Sequence, residues 1–259
     1  MVAQATQTAQ QNRTLRTFDN DLERFNLHER FEQLPLIITD YDITSGVLTP
    51  AQAAFIIRGN KNFIATGVNA TSALVTIPVG GGITLTTAGA DTDQMILRTH
   101  SDAIQTLWDD VNFDTGEEPS LRVGLAAPAT ITTMTLWAGV VLTDPANNDV
   151  STDADQARFY YKAGVNSGKW AAAVSIGGTD TLIDLDVTVV ASTYYELQMD
   201  INADRKADFF INGVHRGQSG ALTDLQSTPR ISVGVETNAA SARSFTCRGI
   251  DFGRKYANA

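Results

Sequence analysis

Residues 194–213 constrain the fold of this chain more than any other segment, because they carry the pattern of two antiparallel strands joined by a polar turn. Apolar and polar side chains alternate along residues 194–201, as expected for a strand with one buried face. The predicted inward residues are Tyr195, Leu197, Met199 and Ile201, and the predicted outward residues are Glu196, Gln198 and Asp200. Residues 202–205 favour a turn, alternation resumes at Ala207, and Asn212 followed by Gly213 predicts a second tight turn.

The rest of the sequence predicts an all-β protein. Short strand candidates separated by glycine-rich and asparagine-rich turns recur from residue 36 onward, which is typical of a sandwich or barrel. No linker composition interrupts residues 36–256, so we predict one β-sandwich domain over residues 36–259. The predicted strands cover residues 36–44, 53–58, 62–68, 73–78, 82–88, 94–99, 119–126, 131–143, 155–163, 168–176, 181–190, 193–202, 206–213, 229–237 and 243–253.

Two segments of different character precede the predicted sandwich. Residues 1–18 are rich in Gln, Thr and Ala and have little to bury, so we predict an extended N-terminal arm. Residues 19–35 predict a short helix, because Leu22 and Phe25 begin a series of apolar residues at helical spacing and Pro35 would end it.

Charge separates the ends of the chain from its body. The formal net charge is −10 at pH 7, which argues against nucleic-acid binding. Residues 1–18 nevertheless contain Arg13 and Arg16 and no acidic residue, and residues 242–259 contain four basic residues against Asp251 alone. Basic ends on an acidic body indicate segments that dock onto another molecule, and solvated tails are the alternative interpretation.

Cysteine content and hydropathy limit the cellular context. Cys247 is the single cysteine, so an intrachain disulfide is excluded, and strand alternation predicts that it is a small core residue. The first ten residues lack the apolar region of a signal peptide, and no apolar run is long enough for a transmembrane helix. We therefore expect synthesis in a reducing cytoplasm and no membrane partner.

From Met134 to Arg254 the sequence resembles the concanavalin A-like jelly-roll sandwich of lectin-like and laminin-G-like modules. The matching pieces are LWAGVVLTD at 136–144, RFYY at 158–161, KW at 169–170, FFING at 209–213 and PRISVGVET at 229–237. Together with GGITLTTAGADTD at 81–93, the pattern is similar to virion structural proteins of tailed bacteriophages. The resemblance implies a virion protein made in the host cytoplasm, such as a capsid decoration or protrusion protein.

This interpretation assigns the two ends of the molecule different tasks. The acidic sandwich would project outward, while the arm and helix would attach it to the major capsid protein or another virion protein. Because a capsid repeats its sites by symmetry, we expect a closed homo-oligomer such as a trimer. The predicted anchors are Arg13, Arg16, Phe18, Leu22 and Phe25.

A glycan-binding adhesion module of a fibre or tail, directed at a host-surface glycan, is the alternative function. Alternation predicts that one outer sheet face carries Trp137, Arg158, Tyr160 and Lys162. Aromatic rings beside hydrogen-bonding groups suit sugar recognition. A Trp on an outer face is also typical of an interface, so another strand, loop or subunit covering this face is the competing interpretation.

A glycoside hydrolase is the third hypothesis. Laminarinase-type enzymes on this fold carry three carboxylates on one strand, in the pattern E-x-D-x-E. Here the corresponding outward residues are Glu196, Gln198 and Asp200, and the outer two would lie about 13 Å apart along a strand. A retaining carboxylate pair needs roughly 5–5.5 Å. We therefore predict that the protein is not an enzyme and has no catalytic residue.

No cofactor or metal ligand is predicted, although calcium bound by loop carboxylates stays open as an alternative. Asp200, Asn202 and Asp204 resemble the start of an EF-hand loop, but Arg205 stands where that loop needs glycine, so a turn is favoured. The other acidic groups are Asp149, Asp153 and Asp155, and Asp184 with Asp186. The histidines His28, His100 and His215 show no metal-ligand spacing.

Overall fold

The computed structural model describes residues 24–31, 36–38, 54–58, 62–99, 114–142, 155–223 and 230–255. The strands are β1 (Arg24–Glu29), β2 (Leu36–Ile38), β3 (Ala54–Arg58), β4 (Asn62–Thr66), β5 (Val75–Thr76), β6 (Ile83–Thr86), β7 (Gln94–Arg98), β8 (Ser120–Ala126), β9 (Met134–Val141), β10 (Gln156–Lys162), β11 (Lys169–Ile176), β12 (Thr179–Thr188), β13 (Tyr194–Ile201), β14 (Lys206–Ile211), β15 (Val214–Ala221), β16 (Arg230–Thr237) and β17 (Ser244–Lys255). Short 3₁₀ turns occupy Ser72–Leu74, Thr115–Glu117 and Asn166–Gly168.

The strands form two antiparallel sheets that pack as a sandwich. Sheet A has the order β15-β14-β13-β8-β17-β6-β5, and β1 pairs with the C-terminal half of β17. Sheet B has the order β12-β11-β10-β9-β16-β7-β4-β3-β2. Some neighbours, such as β13 and β14, are consecutive in the chain, whereas pairs such as β8 with β17 and β9 with β16 join distant parts of the sequence, so the architecture also depends on long-range pairing. The predicted all-β sandwich is confirmed.

The core lies between the two sheets and is built from the inward residue of each alternating pair. Phe159 of sheet B contacts Phe209 of sheet A edge to face, with ring centroids 5.2 Å apart. Trp170 contacts Tyr195 across the same space at 5.6 Å. Both contacts join inward-facing residues of the two sheets, and edge-to-face geometry is the favoured arrangement of aromatic pairs.

The hairpin predicted from residues 194–213 is confirmed. The inward residues Tyr195, Leu197, Met199 and Ile201 are buried, and the residues between them are at least partly exposed. In the first turn, the Asn202 side chain accepts hydrogen bonds from the backbone of Asp204 and Lys206, at 3.0 and 3.1 Å. In the second, Asn212 and Gly213 both have positive φ, 52° and 77°, as a two-residue hairpin turn requires.

The helix predicted over residues 19–35 is wrong for residues 24–29, which form β1. The segment Arg24–Glu29 pairs with residues 250–255, and no α-helix occurs among the described residues. Polar and apolar residues also alternate from Arg24 to His28, so the segment fits the period of a strand as well as that of a helix. The free edge of β17 decides between them, since it offers the backbone of β1 a hydrogen-bonding partner.

Each of the predicted strands overlaps an observed strand. Two observed strands were not predicted, β1 and the polar strand β15. In β15 the side chains are mostly exposed, and Ser219 is the buried one, so no apolar alternation marks it. Its position follows from the tight turn at Gly213, which returns the chain alongside β14.

Cys247 is a fully buried core residue, as predicted. Burial raises the pKa of its thiol from 9.0 to about 12. Within the described part of the chain, no helix is long and apolar enough to cross a membrane. The predicted arm, residues 1–18, lies outside the described residues.

Candidate functional site

A row of polar side chains crosses the outward face of sheet A. Gln198 of β13 is the cross-strand partner of Arg122 of β8, which is the partner of Asp251 of β17, which is the partner of His28 of β1. Adjacent strands lie about 4.8 Å apart, so the row spans roughly 14 Å. We call these four residues the polar row.

Strand alternation places Gln198, Arg122 and Asp251 outward, because the residues on either side of each of them are buried. In β8, Leu121 and Val123 enter the core on both sides of Arg122. In β17, Ile250 and Phe252 do the same around Asp251. The outward position of these three side chains is thus set by the burial of their neighbours.

The polar row lines an open cavity with a volume of about 630 Å³. This volume falls within the range of small-molecule sites, roughly 300–1,000 Å³. Residues beyond the row also line it, namely Glu118, Ser120, Asp200, Ile201, Asn202, Phe252 and Gly253. Most of these groups are polar, so the cavity suits a ligand rich in hydroxyl or charged groups.

Asp251 organises one end of the polar row. Its Oδ1 lies 2.9 Å from Nδ1 of His28, and its Oδ2 accepts a hydrogen bond from Arg30 at 2.9 Å. Arg30 also donates to Oδ1, so the guanidinium holds the carboxylate with two bonds. Two-point contacts of this kind fix the orientation of both groups. His28 is half exposed and faces the cavity.

Arg122 occupies the middle of the row and makes long contacts. Its Nη2 lies 3.5 Å from Oε1 of Gln198 and 3.5 Å from Oε1 of Glu196. Asp200, in contrast, accepts short hydrogen bonds from Ser120 at 2.5 Å and from Gln198 at 2.8 Å. The Arg122 side chain is 46% exposed, so its donors can reach a ligand in the cavity.

The outward triplet Glu196, Gln198 and Asp200 lies at this cavity or beside it, but it does not form a carboxylate pair. Strand β13 pairs with β8 without a register shift, so no bulge shortens the predicted separation of the two carboxylates. Gln198 is the member that contacts both Arg122 and Asp200. The triplet therefore contributes polar contacts to the cavity.

Trp137, Arg158, Tyr160 and Lys162 share the outward face of sheet B. Trp137 and Arg158 are each 1% exposed, while Tyr160 and Lys162 are partly exposed. The indole N–H of Trp137 donates to Ser232 at 3.1 Å, and its ring lies against Gly234. The indole is therefore closed to solvent within the chain, and a glycan or subunit at this face stays a prediction.

Most of the predicted anchors fall outside the described residues. These are Arg13, Arg16, Phe18 and Leu22. Phe25 lies in β1, where it is the backbone partner of Arg254. Partner anchoring by these five residues stays a prediction.

The acidic residues considered as calcium ligands have other contacts. Asp155 accepts hydrogen bonds from the Gly177 backbone at 3.0 Å and from Thr223 at 2.5 Å. Asp184 and Asp186 both contact Lys169, at 3.5 and 2.6 Å. The described residues contain no group of three or more His, Cys, Asp or Glu side chains that could hold a metal ion. Asp149, Asp153 and His100 lie outside the described residues.

Local electrostatics agree with this assignment of Asp184. A hydrogen bond from the Asp186 backbone, followed by one from Asn166, lowers the pKa of the Asp184 carboxyl. The hydrogen bond to Asp186 raises the pKa of Lys169. Lys169 therefore attracts both carboxylates at the surface of sheet B.

Sequence reasoning missed Arg122, Asp251 and the role of His28. Arg122 is the charged residue within SLRVGLA, and Asp251 likewise interrupts an apolar alternation, which is a usable signal for outward polar groups. His28 carries no such signal, because the spacing of apolar residues in its segment also favours a helix. Their convergence could be seen only once the strand order was known.

No family model matches the sequence, and no curated protein matches it either. Solved structures with a similar fold include the carbohydrate recognition domain of Emp47p, at 10% identity and a TM-score of 0.53, with 77% of this chain and 90% of that chain covered. A Bacillus licheniformis β-glucanase is similar at 12% identity and a TM-score of 0.50, covering 88% and 97%. The alginate lyase AlyC3 is similar at 10% identity and a TM-score of 0.50, covering 67% and 75%.

These similarities correct the sequence-based exclusion of an enzyme. That exclusion was drawn from the broken carboxylate triplet, yet the fold is shared with a glucanase and an alginate lyase. The identities of 10–12% relate the chain to these proteins by fold alone. The chain is thus a jelly-roll sandwich of the concanavalin A-like kind.

Proposed function

We propose that the protein binds a polysaccharide along the polar row of sheet A. The observation that carries this proposal is the alignment of Gln198, Arg122, Asp251 and His28 across four adjacent strands at the cavity of about 630 Å³. A row perpendicular to the strands suits an elongated ligand that contacts several strands at once.

The chemistry of the row supports a carbohydrate. Sugar hydroxyls both donate and accept hydrogen bonds; the row offers a carboxylate acceptor, a guanidinium donor and an amide that does both, and Asp200 beside it adds a second carboxylate. Asp200 and Asp251 are already oriented by Ser120 and Arg30, so little side-chain entropy would be lost on binding. Solved structures of this fold include a carbohydrate recognition domain, which supports the same class of ligand.

Binding to a polysaccharide panel tests the proposal. The full chain should retain at least one immobilised polysaccharide, and Arg122→Ala should weaken that binding about tenfold, since hydrogen bonds from a charged donor are lost. Arg216→Ala is the matched control, because Arg216 is an exposed strand arginine on β15 and does not line the cavity. Equal affinity of Arg122→Ala and the wild type would refute the proposal.

Cleavage of the bound polysaccharide is the second candidate function. The observation that favours it is the His28–Asp251 pair, in which a carboxylate orients an imidazole at the edge of the cavity. An imidazole oriented by a carboxylate is a common general base in enzymes. Solved structures of this fold also include a β-glucanase and an alginate lyase.

A matched pair of variants tests cleavage. His215 forms a similar pair with Asp208, at 3.0 Å and with the same half exposure, on the edge strand β15 outside the cavity. Release of reducing ends or unsaturated sugars from the polysaccharide panel should disappear in His28→Gln and persist in His215→Gln. Absence of product from every polysaccharide would remove this second candidate and leave the binding proposal standing.

The virion role remains a proposal from the sequence. Its support is the basic character of residues 1–18 and the resemblance described above. Deletion of residues 1–23, which precede β1, should abolish attachment to particles, and undiminished attachment would refute the anchoring role of this segment. A polysaccharide-binding sandwich would be compatible with a fibre or tail location.

A further inference from the structure

A smaller pocket beside the polar row concentrates positive charge. Its volume is about 150 Å³, and the guanidinium groups of Arg30, Arg122 and Arg248 line it together with the carboxylates of Glu196 and Asp251. Three cations against two anions make this pocket locally basic on a chain whose formal net charge is −10. Because the net charge of the chain is negative, the positive charge of this pocket comes from the local placement of its three arginines.

A bulge in β17 brings Arg248 to the pocket. The pairing of β17 with β8 shifts register between Cys247 and Gly249, and both Cys247 and Ile250 face the core. The two residues between them, Arg248 and Gly249, line the pocket on the outward side. Bulges commonly re-aim a side chain at a functional position.

Two glycines form the floor of the pocket. Gly124 and Gly249 are cross-strand partners. A β-carbon at Gly124 would lie 2.6 Å from the Tyr194 hydroxyl, and one at Gly249 would lie 2.9 Å from Nη1 of Arg30. The phenol of Tyr194 and the guanidinium of Arg30 therefore pack directly against the backbone of Gly124 and Gly249, and a larger residue at either glycine would displace them.

The cations of the pocket differ in how fully they are neutralised. Arg30 is paired with Asp251 through two bonds, whereas Arg122 makes two contacts of 3.5 Å with the described residues. Arg248 forms no ion pair with the described residues, and it donates a hydrogen bond to the Gly80 carbonyl at 3.4 Å. Arg122 and Arg248 thus retain donors for an anionic group.

Tyr194 adds a neutral donor to the same pocket. Burial, followed by the nearby Glu196 carboxylate, raises the pKa of the phenol, and Arg30 and Arg248 offset only part of this rise. The hydroxyl therefore stays protonated at neutral pH and can donate a hydrogen bond.

We propose that this pocket binds the carboxylate of a uronic-acid unit within the polysaccharide. The inference rests on the proposed binding function and specifies its ligand class. Guanidinium groups match planar carboxylates with paired donors. A volume of 150 Å³ equals that of about five water molecules in the liquid, which suits a single sugar unit rather than a chain.

Calorimetric titration of the full chain tests the inference. The probes are oligomers of polygalacturonate, alginate and glucuronan, each compared with the same oligomer after its carboxyl groups are reduced to alcohols. We expect at least one acidic oligomer to bind about tenfold more tightly than its reduced form, because a charge-assisted hydrogen bond is lost on reduction. Arg248→Gln should abolish this preference, and Arg216→Gln should preserve it.

The possible outcomes separate this inference from the proposed function. Equal binding of acidic and reduced oligomers, with loss of both in Arg122→Ala, would overturn the acidic subsite and leave the polysaccharide site in place. Failure of all oligomers to bind would overturn both. Thermal melting of each variant verifies that it is folded.

Discussion

The hydroxyl oxygen of Tyr194 lies 2.6 Å from the point that a β-carbon would occupy at Gly124, one strand away on the outward face of sheet A. The absence of a side chain at Gly124 thus lets the Tyr194 ring lie over β8. This contact forms one wall of the basic pocket. The missing side chain at Gly124 of β8 makes room for Tyr194 of β13, which is a proposed ligand-binding residue.

Gly124→Ala should therefore impair the pocket without unfolding the protein. The new methyl group meets the end of a half-exposed side chain, which can rotate away, so we expect a stability loss below about 1 kcal/mol. Affinity for acidic oligosaccharides should fall several-fold, as measured by calorimetry. Retained affinity would show that the position of Tyr194 does not matter for binding.

Gly139→Ala provides the contrasting case. Its β-carbon would lie 2.3 Å from the Ala157 carbonyl oxygen and 2.5 Å from the Arg158 α-carbon, and backbone atoms cannot rotate away. We expect a loss of about 3 kcal/mol or more, at the upper end of overpacking costs, in denaturant unfolding. A stability equal to that of Gly124→Ala would contradict the argument from contact type.

Asp251→Asn should loosen β1. The amide cannot accept two charge-assisted bonds from Arg30, and we expect about 1 kcal/mol of lost stability because the arginine is partly exposed. Hydrogen exchange in residues 24–29 should accelerate, since β1 pairs with β17 alone among the described strands. Asp208→Asn, which disrupts the corresponding pair with His215, is the control and should leave exchange in β1 unchanged.

Cys247 should make stability depend on pH in the alkaline range. The pKa of the thiol is 9.0 before folding and about 12 in the buried site. Below pH 9.0 the thiol is protonated in both states and contributes no pH dependence. Between pH 9.0 and about 12 the unfolded chain loses the proton while the folded chain keeps it, so the free energy of unfolding falls.

The measurement compares the wild type with Cys247→Ala in denaturant unfolding on both sides of pH 9.0. The difference between the two proteins should change only above that pH. A thiol reagent should also label the native protein far more slowly than the unfolded chain, because the side chain is fully buried. Rapid labelling of the native protein would contradict both expectations.

Gly213→Ala should weaken the hairpin through backbone conformation alone. Gly213 has a φ of 77°, and no neighbouring atom lies within 4 Å of the position that a β-carbon would take. The cost is therefore that of a left-handed conformation, about 1 kcal/mol. Gly89 is equally open and does not need positive φ, so Gly89→Ala is the control and should change the melting temperature little. Equal effects at both positions would contradict this explanation.

Local patterns predicted much of the fold because burial imposes a period of two on a strand. The alternation in residues 194–201 was sufficient to assign Tyr195 inward and Gln198 outward, and both assignments are confirmed. The same reasoning failed for Arg24–Glu29, where helical and strand periods coincide. A short segment with two acceptable periods takes its conformation from the partner edge available to it.

The sequence by itself determined the all-β class, the turns at Asn202 and Asn212, and which side chains of most strands face inward. Only the tertiary structure decided that His28 and Asp251, which are 223 residues apart, would meet beside Arg122. Alternation is a local consequence of covalent geometry, whereas strand order is settled by packing the whole core and satisfying every edge. The candidate site depends on that order, so it became visible only when the sheets were assembled.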